Sequence, residues 1–97
     1  MLGDLTIDSF RPHGGSVFTL DDAERGPVEL TLAEVRSLGE QSGEREPFAL
    51  LFRGPPGAPV YGQQTVRLQH EQLGELGIFI VPVGNGPDGA DYEAIFT

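Results

Sequence analysis

Short apolar segments separated by glycine and proline recur along this chain, most clearly in its second half. Residues 47–53, 65–70, 77–83 and 91–97 each have the length of a β-strand and are bounded by turn residues. In the last segment, Tyr92, Ala94 and Phe96 alternate with more polar positions, which puts them on one face of a strand. This pattern predicts a small antiparallel β domain.

The first half continues the pattern with less regularity. Residues 16–20 predict a first strand, and Val28, Leu30 and Leu32 lie at period two in a returning strand, with a polar connection over residues 21–27. Residues 33–38 fit a helix or a strand.

The segment before the first strand, residues 4–10, predicts one or two turns of helix that Asp4 or Thr6 could cap. Pro82 has no N–H to donate, so it predicts an edge or a bulge late in its strand.

The chain has 97 residues, a length that predicts one domain over residues 1–97. We expect an all-β fold: a small antiparallel Greek-key-like barrel or a two-sheet sandwich of about six strands, with at most a short N-terminal helix. The predicted core consists of Phe18, Leu20, Val28, Leu30, Leu32, Phe48, Leu50, Phe52, Leu68, Ile78, Ile80, Tyr92 and Phe96. An open sheet of this size would leave two edges that must be covered or paired.

Charge and cysteine content exclude several classes of function. Fifteen acids against six bases, all arginine, give a net charge of -9, which disfavours nucleic acid and anionic membranes as partners. The absence of cysteine excludes disulfides, thiolate zinc sites and thiol nucleophiles. No secretory signal or membrane-length apolar run is present, so we expect a cytoplasmic protein, or part of a particle assembled from the cytoplasm.

Catalysis has little support in the sequence. His70 is interpreted as structural, with its ring bonding the backbone of the turn at 72–77, while His13 is interpreted as an exposed loop residue that does not meet it. We therefore predict no enzyme, no catalytic residue and no cofactor. The alternative is a small hydrolase that uses His70 with Glu71 or Asp91, in a pocket that also offers a hydroxyl.

Metal binding is not predicted either. Asp21, Asp22 and Glu24 lack the ligand spacing of a calcium loop, as do Asp88 and Asp91.

A ligand-binding barrel is a second alternative. Small barrels can hold an apolar or sugar ligand at one end, and Tyr61, Gln63 and Gln64 would be its polar contacts beside the proline-rich loop. Barrels of this size are more often filled by their own side chains.

The last strand predicts association with another protein. Ile95 shares a face with Glu93 and Thr97, opposite the predicted core face. An apolar side chain there needs a cover, which is either the N-terminal segment 5–10 of the same chain or a protein partner. We expect a partner, a second copy or another protein, that contacts a sheet edge or face through apolar side chains.

The chain also resembles a family of small bacterial β domains whose members have no assigned function. The matching elements are residues 47–54, 67–70, 79–84 and 92–96, with looser agreement in the first half. Genes of that family are often found near phage-tail-collar or microcystin-dependent-like proteins. The resemblance implies an accessory or structural role near a tail- or fibre-like assembly, and it transfers no catalytic residue.

Overall fold

The computed structural model describes residues 5–39 and 46–97, and it shows a closed antiparallel barrel. The strands are β1 (Val17–Asp22), β2 (Gly26–Ser37), β3 (Phe48–Arg53), β4 (Gln64–His70), β5 (Gly74–Gly86) and β6 (Gly89–Phe96). Around the barrel they follow the order β1-β2-β3-β6-β5-β4. Because β4 returns to lie beside β1, the order β4-β1-β2-β3 is that of a Greek key. The all-β prediction is confirmed, and the barrel is the correct one of its two forms.

Closure of the barrel corrects the expectation of two open sheet edges. The closing ladder joins β1 to β4 through two residue pairs, Thr19 with Gln69 and Leu20 with Leu68. Every strand therefore has a neighbour on both sides, which removes the free edges that an open sheet would present. Only the outer face and the loops remain as extended surfaces.

β2 and β5 are longer than the sequence pattern indicated. The ambiguous segment 33–38 continues β2 as far as Ser37, after a register shift between Leu32 and Glu34. Pairing with the apolar strand β3 outweighs the helical spacing of this segment. A second shift, between Pro82 and Gly84 in β5, is the bulge that the proline predicted.

The barrel interior is filled by side chains of the six strands. Eleven of the thirteen predicted core residues are buried, while Val28 and Phe96 are partly buried against the same cluster. The cluster also contains six residues that were not in the predicted core: Ile7, Phe10, Val66, Leu76, Ala90 and Ala94. The interior is therefore a packed core in the part of the chain that the structure describes.

A short N-terminal helix, α1 (Ile7–Phe10), covers one end of the barrel. Thr6 is its N-cap residue, whereas Asp4, the other predicted cap, lies outside the described residues. Phe10 is fully buried, and its ring centroid lies 5.8 Å from those of both Phe48 and Phe96. A 3-10 turn, Arg11–His13, then leads into β1. We call the end of the barrel that α1 covers the plugged end.

Candidate functional site

His70 ends β4 at the plugged end, where its ring is held on all sides. Its Nδ1 accepts hydrogen bonds from the backbone N–H groups of Gln72 (3.1 Å) and Leu73 (3.2 Å). The predicted bond from this ring to the turn is confirmed. Because Nδ1 is an acceptor, the neutral ring carries its proton on Nε2, which donates to Ser16 Oγ at 3.1 Å. Ser16 Oγ in turn donates to the carbonyl oxygen of His13.

The expectation that the two histidines do not meet is wrong. The His13 ring contacts His70 edge-on with centroids 4.6 Å apart, and Phe18 covers His70 at 4.4 Å. His13 is half-buried rather than exposed, since the turn that carries it folds back onto the barrel. Burial lowers the pKa of His70, the nearby His13 lowers it further, and Glu71 acts in the opposite direction.

This geometry does not form the hydrolytic site of the alternative prediction. A base that activates Ser16 needs a lone pair on the nitrogen that faces it, and here that nitrogen carries the proton. Asp91 is paired with Arg53 at 2.7 Å, at the other end of the barrel. His70 is only 8% exposed. The contacts give His70 a structural role in joining the N-terminal segment to the barrel.

Tyr61 performs a similar structural task at the opposite end of the barrel. Its hydroxyl donates to Asp22 Oδ2 at 2.8 Å, and its backbone N–H donates to Tyr92 Oη at 2.9 Å. Asp22 also accepts the N–H groups of Glu24 and Arg25, which shapes the β1–β2 turn. These bonds fasten the loop over residues 54–63 across the barrel end.

The cluster around Tyr61 contains one carboxylate, that of Asp22, and one guanidinium, that of Arg25. Backbone bonds from Glu24, with the bond from Tyr61 and further contacts, lower the pKa of Asp22. Burial, with the Asp22 carboxylate beside it, raises the pKa of Tyr61. The Arg25 guanidinium lies 5.1 Å from the centre of the Tyr61 ring. The Tyr61 hydroxyl and the Asp22 carboxylate therefore already have hydrogen-bond partners within the protein.

The predicted ligand contacts are only partly brought together. Tyr61 and Gln64 line a surface cavity of about 250 Å³ beside β1 and β4, together with Asp22. Gln64 Nε2 donates to the carbonyl of Gly62, and Gln63 is exposed and does not line this cavity. Ile95 lies elsewhere, on β6. The four candidates thus belong to at least two separate surfaces.

Ile95 belongs to an apolar patch on the outer face of β3, β5 and β6, which we call the outer strip: Leu51, Phe79, Val81, Val83 and Ile95. Ile95, Val83 and Phe79 are 57%, 53% and 51% exposed, and Leu51 and Val81 are half-buried. The alternative in which the N-terminal segment covers Ile95 is wrong. Phe96, the next residue, faces Phe10 instead.

An ion pair borders the outer strip and crosses β3. Arg36 on β2 reaches Glu93 on β6 at 3.2 Å, and it also lies 3.6 Å from Glu34. In the strand register, Leu51 lies directly between Glu34 and Glu93, and Val81 lies on the other side of Glu93. Glu93 therefore lies within the strip, between Leu51 and Val81, and Glu34 lies at its β2 side.

Comparison with known proteins identifies the family of this chain. A family model described as Domain of unknown function (DUF6916) matches residues 5–96. The chain belongs to this family. No curated protein and no solved structure matches it. The DUF6916 domain here thus comprises all six strands, the N-terminal helix and both covered ends.

The described residues of the DUF6916 domain contain neither a metal-binding cluster nor a helix that could span a membrane. Within residues 5–39 and 46–97, no three histidine or carboxylate side chains are grouped so that they could hold a metal ion. In the same residues, no helix has both the length and the apolar character needed to span a bilayer.

Proposed function

We propose that this protein is a non-enzymatic structural or accessory component that binds another protein through its outer strip. One observation carries the proposal: three large apolar side chains of a closed barrel, Phe79, Val83 and Ile95, are each more than half exposed. Clustered exposed apolar side chains on a small domain are typical of interaction surfaces. In keeping with the family resemblance, the proposed setting is a bacterial tail- or fibre-like assembly put together in the cytoplasm.

The covered ends of the barrel support this proposal over a ligand-binding barrel. Phe10 fills one end, and the loop fastened by Tyr61 crosses the other. A ligand would have to displace one of these elements before it reached the interior. The outer strip is accessible without any rearrangement.

Site-specific photo-crosslinking tests the proposal. A photoreactive phenylalanine analogue replaces Ile95 on β6 or, as the matched control, Val17 on β1. Val17 is also apolar and exposed, at 43%, and β1 lies opposite β6 in the strand order of the barrel. In the native host, we expect a discrete protein adduct from position 95 and none from position 17.

The proposal also predicts the behaviour of a polar variant. Ile95→Ser should lose the co-assembly that the wild type and Val17→Ser retain, while all three unfold at similar urea concentrations. If position 95 gave no adduct and the wild type stayed monomeric by light scattering over a wide concentration range, the proposal would be refuted.

A further inference from the structure

We infer that the protein segment that binds the outer strip is apolar and positively charged. This inference rests on the proposed function and adds the chemistry of the partner. It depends on how the charges of the described residues are distributed. The overall charge of -9 attracts bases in general, but the placement of the arginines makes the expectation specific to this surface.

Every arginine in the described part of the chain lies within ion-pair distance of a carboxylate. The pairs are Arg11–Asp8, Arg25–Asp22, Arg36–Glu93, Arg53–Asp91 and Arg67–Glu75, and Arg36 also contacts Glu34. Five acids of the same residues have no described arginine at that distance: Asp21, Glu24, Glu29, Glu71 and Asp88. Among the described residues, the charge that remains available to a partner is therefore negative.

Acidic side chains lie within and beside the outer strip. Glu93 is the strand neighbour of both Leu51 and Val81, and Glu34 is the β2 neighbour of Leu51. Arg36 pairs with both carboxylates. Two carboxylates against one guanidinium leave a negative charge next to the apolar side chains.

A second copy of the chain fits this surface poorly. Two copies that met through their outer strips would bring two sets of carboxylates together. Arg36 and Arg53, which lie beside the strip, already pair with Glu93 and Asp91. Like charges brought together at an interface oppose association and cannot be screened fully there. A segment with lysine or arginine beside its apolar residues meets the same carboxylates favourably.

The dimensions of the strip define a suitable probe. Phe79, Val81 and Val83 follow each other at alternate positions of β5, a length of about 13 Å. An amphipathic helix of about three turns covers that length. The probe is a synthetic helix with leucine on one face and lysine on both flanks. Its controls are the same peptide with glutamate for lysine and the same peptide with serine for leucine.

Binding is followed by amide chemical shifts of the full chain, which identify the surface and give the affinity. We expect the lysine peptide to shift the amides of β5 and β6, with about tenfold weaker binding to Ile95→Ser than to Val17→Ser. The glutamate and serine peptides should each bind at least tenfold more weakly. Added salt should weaken the lysine peptide, because part of its attraction is screened.

The other outcomes separate this inference from the proposed function. Equal binding of the lysine and glutamate peptides at the strip would overturn the charge requirement and leave an apolar interaction surface. Self-association that Ile95→Ser abolishes, without peptide binding, would overturn the inference in favour of a second copy. If the lysine peptide did not bind and the protein did not self-associate, the inference would also be overturned. Photo-crosslinking would then test the proposed function independently.

Discussion

Replacement of His70 by phenylalanine removes three hydrogen bonds and keeps an aromatic ring beside Phe18. The lost bonds are those from the backbone of Gln72 and Leu73 to Nδ1, and that from Nε2 to Ser16. A hydrogen bond contributes about 0.5–1.5 kcal/mol net, which gives about 1.5–4.5 kcal/mol for three. Because Gln72 is exposed, water can replace the bond to its N–H. We therefore expect a destabilisation in the lower half of this range, about 2 kcal/mol.

The same variant should change how stability depends on pH. The pKa of His70 is lowered in the folded state, so as pH falls the unfolded chain binds the proton first, near the ordinary value of 6.5. Above that pH, neutral His70 therefore makes its full contribution to the free energy of unfolding of the wild type. Below that pH, the free energy of unfolding decreases by up to about 1.4 kcal/mol per pH unit, until the pH passes the pKa of His70 in the folded state.

Urea unfolding at pH 7.5 and 5.5 measures both effects. The difference between wild type and His70→Phe should be largest at the higher pH and shrink at the lower one. His13→Phe keeps a ring against His70 and all three hydrogen bonds of His70, but it removes a neighbour that lowers the pKa of His70. It should therefore lose less stability on acidification than the wild type. A stability difference that stays constant or grows on acidification would refute the lowered pKa of His70.

Two further predictions concern a close backbone contact and the Tyr61 cluster. Gly89→Ala should destabilise the fold by about 3 kcal/mol or more, because the new Cβ would meet the Gly54 carbonyl oxygen and φ is +127°; Gly77→Ala, with open space around it, should be near neutral in the same urea assay. In Asp22→Asn the pKa of Tyr61, followed by NMR of its ring, should fall towards its usual value, and an unchanged pKa would contradict their hydrogen bond.

Local alternation was sufficient to predict most of the strands and their inward faces. It separated Tyr92 and Ala94 from Ile95, and that separation is what the barrel shows. The same rule could have found Phe79, because a residue between two core positions, Ile78 and Ile80, must face outward. The proposal of an exposed apolar surface therefore had more support in the sequence than Ile95 alone.

Contacts between distant segments could not be predicted in this way. His13 and His70 meet because β4 closes onto β1, and no periodicity in either segment records that pairing. The position of Phe10 at the end of the barrel has the same origin. A helix of four residues is too short for its sequence to specify where it docks, so its place is decided by the apolar rings of β3 and β6.

The exposed apolar side chains of the outer strip are hard to explain by stability. A polar residue at position 83 or 95 would leave the packed interior unchanged, since Ile95 and Val83 lie outside it and are more than half exposed. Such a change would also lower the tendency to aggregate. Neither the packing of the barrel nor its solubility thus requires these residues, and we therefore assign them, in our proposal, to binding another protein. In our proposal, the carboxylates beside them select a basic partner.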